Sequence, residues 1–113
     1  MEKSLYPAAT PEIAKKREQL TPETLHAWRA FSRQAFADGA LPAKTKDLIA
    51  IAVAHVTQCP YCIRAHTKSA QAKGATEKEI MEAIWVAAEM RAGAAIAHSA
   101  LAIDVMKERA SSE

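Results

Sequence analysis

A chain of 113 residues has room for one hydrophobic core and, at that size, keeps about a third of its unfolded surface in contact with water. Half of the residues are apolar, yet 26 of them are alanine and only 5% of the chain is aromatic, which favours closely approaching helices over a bulky core. The net charge of +2 is dispersed and excludes a nucleic-acid footprint. The longest apolar run, Leu48 to Val56, contains His55 and falls far short of the roughly 20 residues of a membrane span.

In chain order, Met1 to Pro7 lacks the apolar stretch of a secretory signal, so a cytoplasmic protein is expected. Thr10-Pro11-Glu12 and Thr21-Pro22-Glu23 each put a capping hydroxyl before a proline, whose missing N–H costs nothing in a first helical turn. The second start predicts a helix from Pro22 to Asp38, stopped by Gly39, with Leu25, Trp28, Phe31 and Ala35 on one buried face. Pro42 opens a third helix to about Gln58, apolar on most sides. Pro60 restarts the chain into a fourth helix to about Lys73, with Gly74 as the residue just past its end.

Thr76 and Glu79 have capping-box spacing and open a helical stretch to about Arg109, with a bend expected near Ala92-Gly93-Ala94. No stretch alternates as a strand does. The expected fold is all-α, a single compact domain over residues 1–113 with its core at about 22–108, built from about six helices. With so few bulky side chains, helix faces gain from burial against other copies of the chain, and a homo-oligomer is expected.

The chemistry concentrates in Cys59-Pro60-Tyr61-Cys62-Ile63-Arg64-Ala65-His66, which holds both cysteines and one of the four histidines. Two thiols at this spacing can close a disulfide when their Cβ atoms come within about 4 Å. Pro60 in a first helical turn puts Cys59 at the N-cap, where orphan N–H groups and the positive helix end favour a thiolate. His66, four residues after Cys62, lies on that thiol's helix face and can take its proton. The helix end thus acts most on Cys59 and the imidazole most on Cys62, which leaves open which thiol reacts first. In a chain that is not exported, such a pair reads as a reducible redox couple rather than a staple. The bland alternative is two buried, inert cysteines. His55 reads either as a hydrogen-bonded core histidine or as a proton-transfer group behind the thiols. The run His55, Cys59, Cys62, His66 also has four zinc-type donors, but structural zinc sites draw ligand pairs from separated segments, and no metal is assigned.

Together with Lys44-Thr45-Lys46-Asp47-Leu48-Ile49-Ala50 and Gly74-Ala75-Thr76, this motif resembles the AhpD-like alkylhydroperoxidases of the carboxymuconolactone decarboxylase superfamily, over roughly Leu41 to Met106. The resemblance implies an all-α fold, a homotrimer or homohexamer, and a thiol-dependent peroxidase that cycles through a Cys59–Cys62 disulfide. It also implies a hydroperoxide substrate, no bound cofactor, and an external dithiol reductant of lipoyl or thioredoxin-like type. The family's proton relay joins the histidine, here His66, to an upstream glutamate, whose place is taken by Asp47. The aspartate is one methylene shorter, and Tyr61 stands where the longest-known members carry a further histidine; both depart from the pattern. Lys46 and Asp47 read otherwise as solvated charges of a first helical turn. Two other functions stay in view: a redox-responsive oligomeric module without turnover, and a carboxymuconolactone-type decarboxylase, which has no use for a dithiol.

Overall fold

The computed structural model describes residues 5–112, with nothing described for the Ser112 side chain, so the stretch read above for an export signal lies partly outside the described residues. Five helices follow one another with no strand among these residues: α1 Pro11–Leu20, α2 Pro22–Phe36, α3 Ala43–Thr57, α4 Pro60–Ala72 and α5 Glu77–Ser112. The expected all-α class is borne out. The sixth helix is missing because α5 runs unbroken through Gly93 for 36 residues, about 54 Å at 1.5 Å per residue. No described helix is long and apolar enough to cross a membrane.

The chain forms two compact units, residues 1–43 and 44–113. The first is the α1–α2 hairpin. Thr10 caps α1 by accepting the Ile13 N–H on its hydroxyl at 3.3 Å. The hydroxyl of Thr21 makes no such bond to α2, because its backbone is committed to closing α1 through Arg17 O. Helix α2 stops at Phe36, two residues short of the expected end, since Asp38 belongs to the next start: its Oδ1 accepts the Ala43 N–H at 2.7 Å. The face expected to be buried is open. Trp28 is 58% and Phe31 63% exposed, with their rings 5.9 Å apart, because a two-helix hairpin has too little mass to cover them.

The second unit holds the core. Ile51, Ala70, Ala75 and Ile80 are buried together, with Leu48 and Ile84 packed against them. Helix α3 ends in a left-handed residue, Gln58 at φ +58°, and the Cys59 N–H bonds back to Ala54 O at 3.0 Å. Helix α4 ends the same way at Gly74, φ +91°, with Ala75 N–H on Ala70 O at 2.9 Å. These are Schellman closures, which turn the chain sharply while satisfying orphan carbonyls. The capping box forms as expected: Thr76 N–H donates to Glu79 Oε1 at 2.9 Å and Glu79 N–H to Thr76 Oγ1 at 3.1 Å. Arg91 of α5 donates to Val56 O at 3.2 Å, tying α5 to the end of α3 beside the Gln58 turn.

Candidate active site

The second unit alone carries every candidate residue. The Gln58 turn delivers Cys59 to the N-cap of α4 with Pro60 in the first turn, where Cys59 Sγ accepts the Cys62 N–H at 3.2 Å. Cys59 and Cys62 are joined in a disulfide with Cα atoms 5.3 Å apart. Both are half-buried, so the pair can be reached from solvent, and Tyr61 between them is 41% exposed. The structure thus shows the oxidised form, with Cys59 in the capping place that the proline predicts.

One turn further along α4, His66 turns to α3, where Asp47 is the only charged residue among the described ones to be fully buried, at 2% exposure. Its carboxylate is direct partner to three side chains, those of His66 and Ser69 in α4 and of Lys73 at its C-cap. Oδ1 lies 3.0 Å from His66 Nδ1, and Oδ2 accepts Ser69 Oγ at 2.7 Å and Lys73 Nζ at 2.6 Å. Burial pushes the Asp47 carboxyl up, but the hydrogen bonds from Lys73, His66 and Ser69 and the charge of Lys73 outweigh it, holding the group below its ordinary value. Asp47 is therefore an anion and can only accept. The Nδ1 of His66 must carry the proton in this contact, which makes Nε2 the basic nitrogen of the neutral ring.

Asp47 is not a solvated first-turn charge, and its shorter side chain reaches the histidine directly, on a frame in which Ile51 of α3 and Ala70 of α4 are buried in one core cluster. His55 stands elsewhere: its Nδ1 donates to Ile51 O, one turn back in its own helix, at 2.7 Å. Among the described residues, no group of three or more His, Cys, Asp or Glu side chains is placed to hold a metal ion. Ser69 and Lys73 were not anticipated from the sequence. The signal was present, since Cys62, His66, Ser69 and Lys73 recur at helical spacing along one stripe of α4 and its C-cap. What the sequence could not show is that this stripe faces a buried carboxylate.

A sequence profile described as the Carboxymuconolactone decarboxylase family matches residues 22–104. The chain belongs to that family. "Uncharacterized protein 4 in cox locus" of Paracoccus denitrificans is 63% identical over 82 residues, 73% of this chain and 74% of its own. A crystal structure of a protein from Methanobacterium thermoautotrophicum superposes with TM-score 0.69 at 35% identity, covering 75% of this chain and 94% of that one. A carboxymuconolactone decarboxylase family protein from Legionella pneumophila, in its apo form, gives 0.66 at 35% identity over 86% of each chain. Another, from Thermotoga maritima, gives 0.57 at 30% identity over 78% of this chain and 90% of that one; it has been assigned a possible part in an antioxidative response. The superposed structures share the helical frame that here sets the Asp47 carboxylate on the His66 ring.

Proposed function

We propose that this carboxymuconolactone decarboxylase family member is a thiol-dependent peroxidase of the alkylhydroperoxidase type. The observation that carries the reading is the Cys59–Cys62 disulfide at the N-terminus of α4, one turn before a histidine oriented by a buried carboxylate. In the reduced protein, His66 Nε2 takes the Cys62 proton, and Asp47 stabilises the imidazolium that results. The Cys62 thiolate attacks one oxygen of the hydroperoxide. The O–O bond breaks, a sulfenic acid forms on Cys62, and the alkoxide takes a proton and leaves as the alcohol. Cys59 then attacks the sulfenic sulfur, water leaves, and the disulfide seen here is formed. Two electrons and two protons from an external dithiol, of lipoyl or thioredoxin-like type, restore both thiols by exchange. His55, hydrogen-bonded to its own helix, takes no step in this cycle.

The partners are therefore a hydroperoxide, a dithiol reductant and further copies of the chain, in a reducing compartment such as the cytoplasm. The Thermotoga maritima relative's antioxidative context is consistent with this chemistry. The test is peroxide consumption coupled to a dihydrolipoyl or thioredoxin-type reductant. Wild type turns over, and Cys59→Ser and Cys62→Ser do not. His66→Gln slows the reaction by about 10²-fold, the scale of losing a positioned general base. A sulfenic-acid trap labels Cys62 in Cys59→Ser; label on Cys59 in Cys62→Ser instead would reverse the order of the thiols. Reversible disulfide formation with no turnover under any reductant would leave the redox-responsive module in place of the enzyme.

A further inference from the structure

Asp47 has two carboxylate oxygens, and α4 divides them. His66 Nδ1 takes Oδ1, while the Ser69 hydroxyl and the Lys73 ammonium take Oδ2, and Lys73 also donates to Ser69 Oγ. The order is set by the helix alone, since His66, Ser69 and Lys73 follow at i, i+3 and i+7 on one face. The Lys73 side chain is 39% exposed and that of Asp47 3%, so a cation anchored in solvent reaches down to an anion that has none. We propose that Lys73 is a positioning residue of the redox site, which fixes the oxygen that Asp47 offers to His66 and limits how far the buried carboxylate favours a protonated imidazole.

The physical reason is charge sharing. An aspartate out of water with a histidine as its sole ionic partner gives its whole charge to favouring the imidazolium, and an imidazolium cannot accept the proton of Cys62. A second cation on the far oxygen balances the anion before the histidine is charged. His66 can then remain a neutral base with its proton on Nδ1, and still be stabilised once it becomes charged. Lys73 and Ser69 also tether a side chain one methylene shorter than the glutamate of the resembling peroxidases. Among the described ion pairs, the groups that meet Asp47 are His66 of α4 and Lys73 at the C-cap of that helix. On its own helix, Lys44 is paired with Glu79 of α5 at 3.0 Å, and Lys46 is half-buried one residue before it.

This inference rests on the peroxidase reading only in invoking the same His66–Cys62 pair, so its test uses no peroxide. In the reduced protein, the rate of Cys62 alkylation by iodoacetamide is followed against pH for wild type, Lys73→Met, Lys73→Gln and Lys73→Arg. Loss of the ammonium leaves the Asp47 charge to His66 alone, which favours the imidazolium–thiolate pair with Cys62. The rise in Cys62 reactivity then moves to lower pH by about one unit, the scale on which a neighbouring carboxylate acts. Lys73→Arg keeps the charge and superimposes on wild type, and Asp47→Asn moves the rise the other way. Lys73→Gln retains a hydrogen-bond donor and carries the test if Lys73→Met does not fold. A lysine that only tethered α4 to α3 would lower the melting temperature and leave the alkylation profile in place. Superimposed wild-type and Lys73→Gln profiles, or an equal shift in Lys73→Arg, would overturn the proposal. Absent peroxide turnover with shifted profiles would sink the enzyme reading and leave this one standing.

Discussion

Asp47 is a carboxylate with almost no water of its own, and its state decides much of the site. Taking such a group out of water is unfavourable, and three donors from α4 and its C-cap more than offset that cost. Because the folded carboxyl titrates below its ordinary value, its contribution to stability is complete above that value and is lost as pH falls through the depressed one. Urea unfolding of wild type should therefore weaken steeply from about pH 4 downward, the range set by an ordinary aspartate near 3.9. Asp47→Asn should be less stable than wild type at pH 7, by about 3 kcal/mol when a buried pair loses one partner. The two curves should converge as pH falls through that depressed value, where the wild-type carboxyl is protonated too. A constant gap between them across the whole range would mean that the ionised form adds nothing.

The helices were largely legible as elements because their ends carry local chemistry. The prolines at 11, 22 and 60, the Thr76–Glu79 box and Gly74 each act within one turn, and the structure places a helix end at each. Where one residue had two possible duties, the reading failed: Asp38 looked like the tail of α2 but caps α3. The Asp47 cluster was legible only in part, since Cys62 and His66 are near in sequence whereas Asp47 meets Ser69 and Lys73 across separations of 22 and 26 residues. The two left-handed closures give a test at this scale. Gly74 has φ +91° and open space where a Cβ would stand, so Gly74→Ala should cost about 1–2 kcal/mol through the backbone alone. Gln58 already bears that strain at φ +58°. Gln58→Gly should therefore stabilise by about 0.5–1 kcal/mol, the relief of left-handed strain less the chain entropy that glycine brings. Denaturant midpoints at unchanged slope would report both; destabilisation by Gln58→Gly would show that the glutamine side chain outweighs its backbone.

At the scale of the whole molecule, the protomer leaves much apolar surface uncovered. Ala87 is the last buried residue of α5, and beyond it Met90, Ile96, Leu101, Val105 and Met106 are 61%, 74%, 67%, 62% and 63% exposed. Val86, Met90, Ala94, Ala97, Leu101 and Val105 fall at steps of three and four, so they form one stripe down the helix. Gly93, Ala94 and Ala97 are the small members of that region, where another backbone can approach closely. A helix this long and apolar has no reason to project from a monomer, since each uncovered Leu or Ile forgoes about 1.5–3 kcal/mol of burial. The occupant we propose is another copy of the chain, as the alanine-rich composition already suggested, in the trimer or hexamer that the family resemblance implies. Light scattering should give a multiple of 12.2 kDa at micromolar concentration. Leu101 lies on the exposed part of α5 beyond Ala87, so Leu101→Glu should break the assembly into smaller species while the disulfide still forms in each. A wild-type mass of one chain, or a Leu101→Glu variant assembling as wild type does, would remove this stripe from the interface.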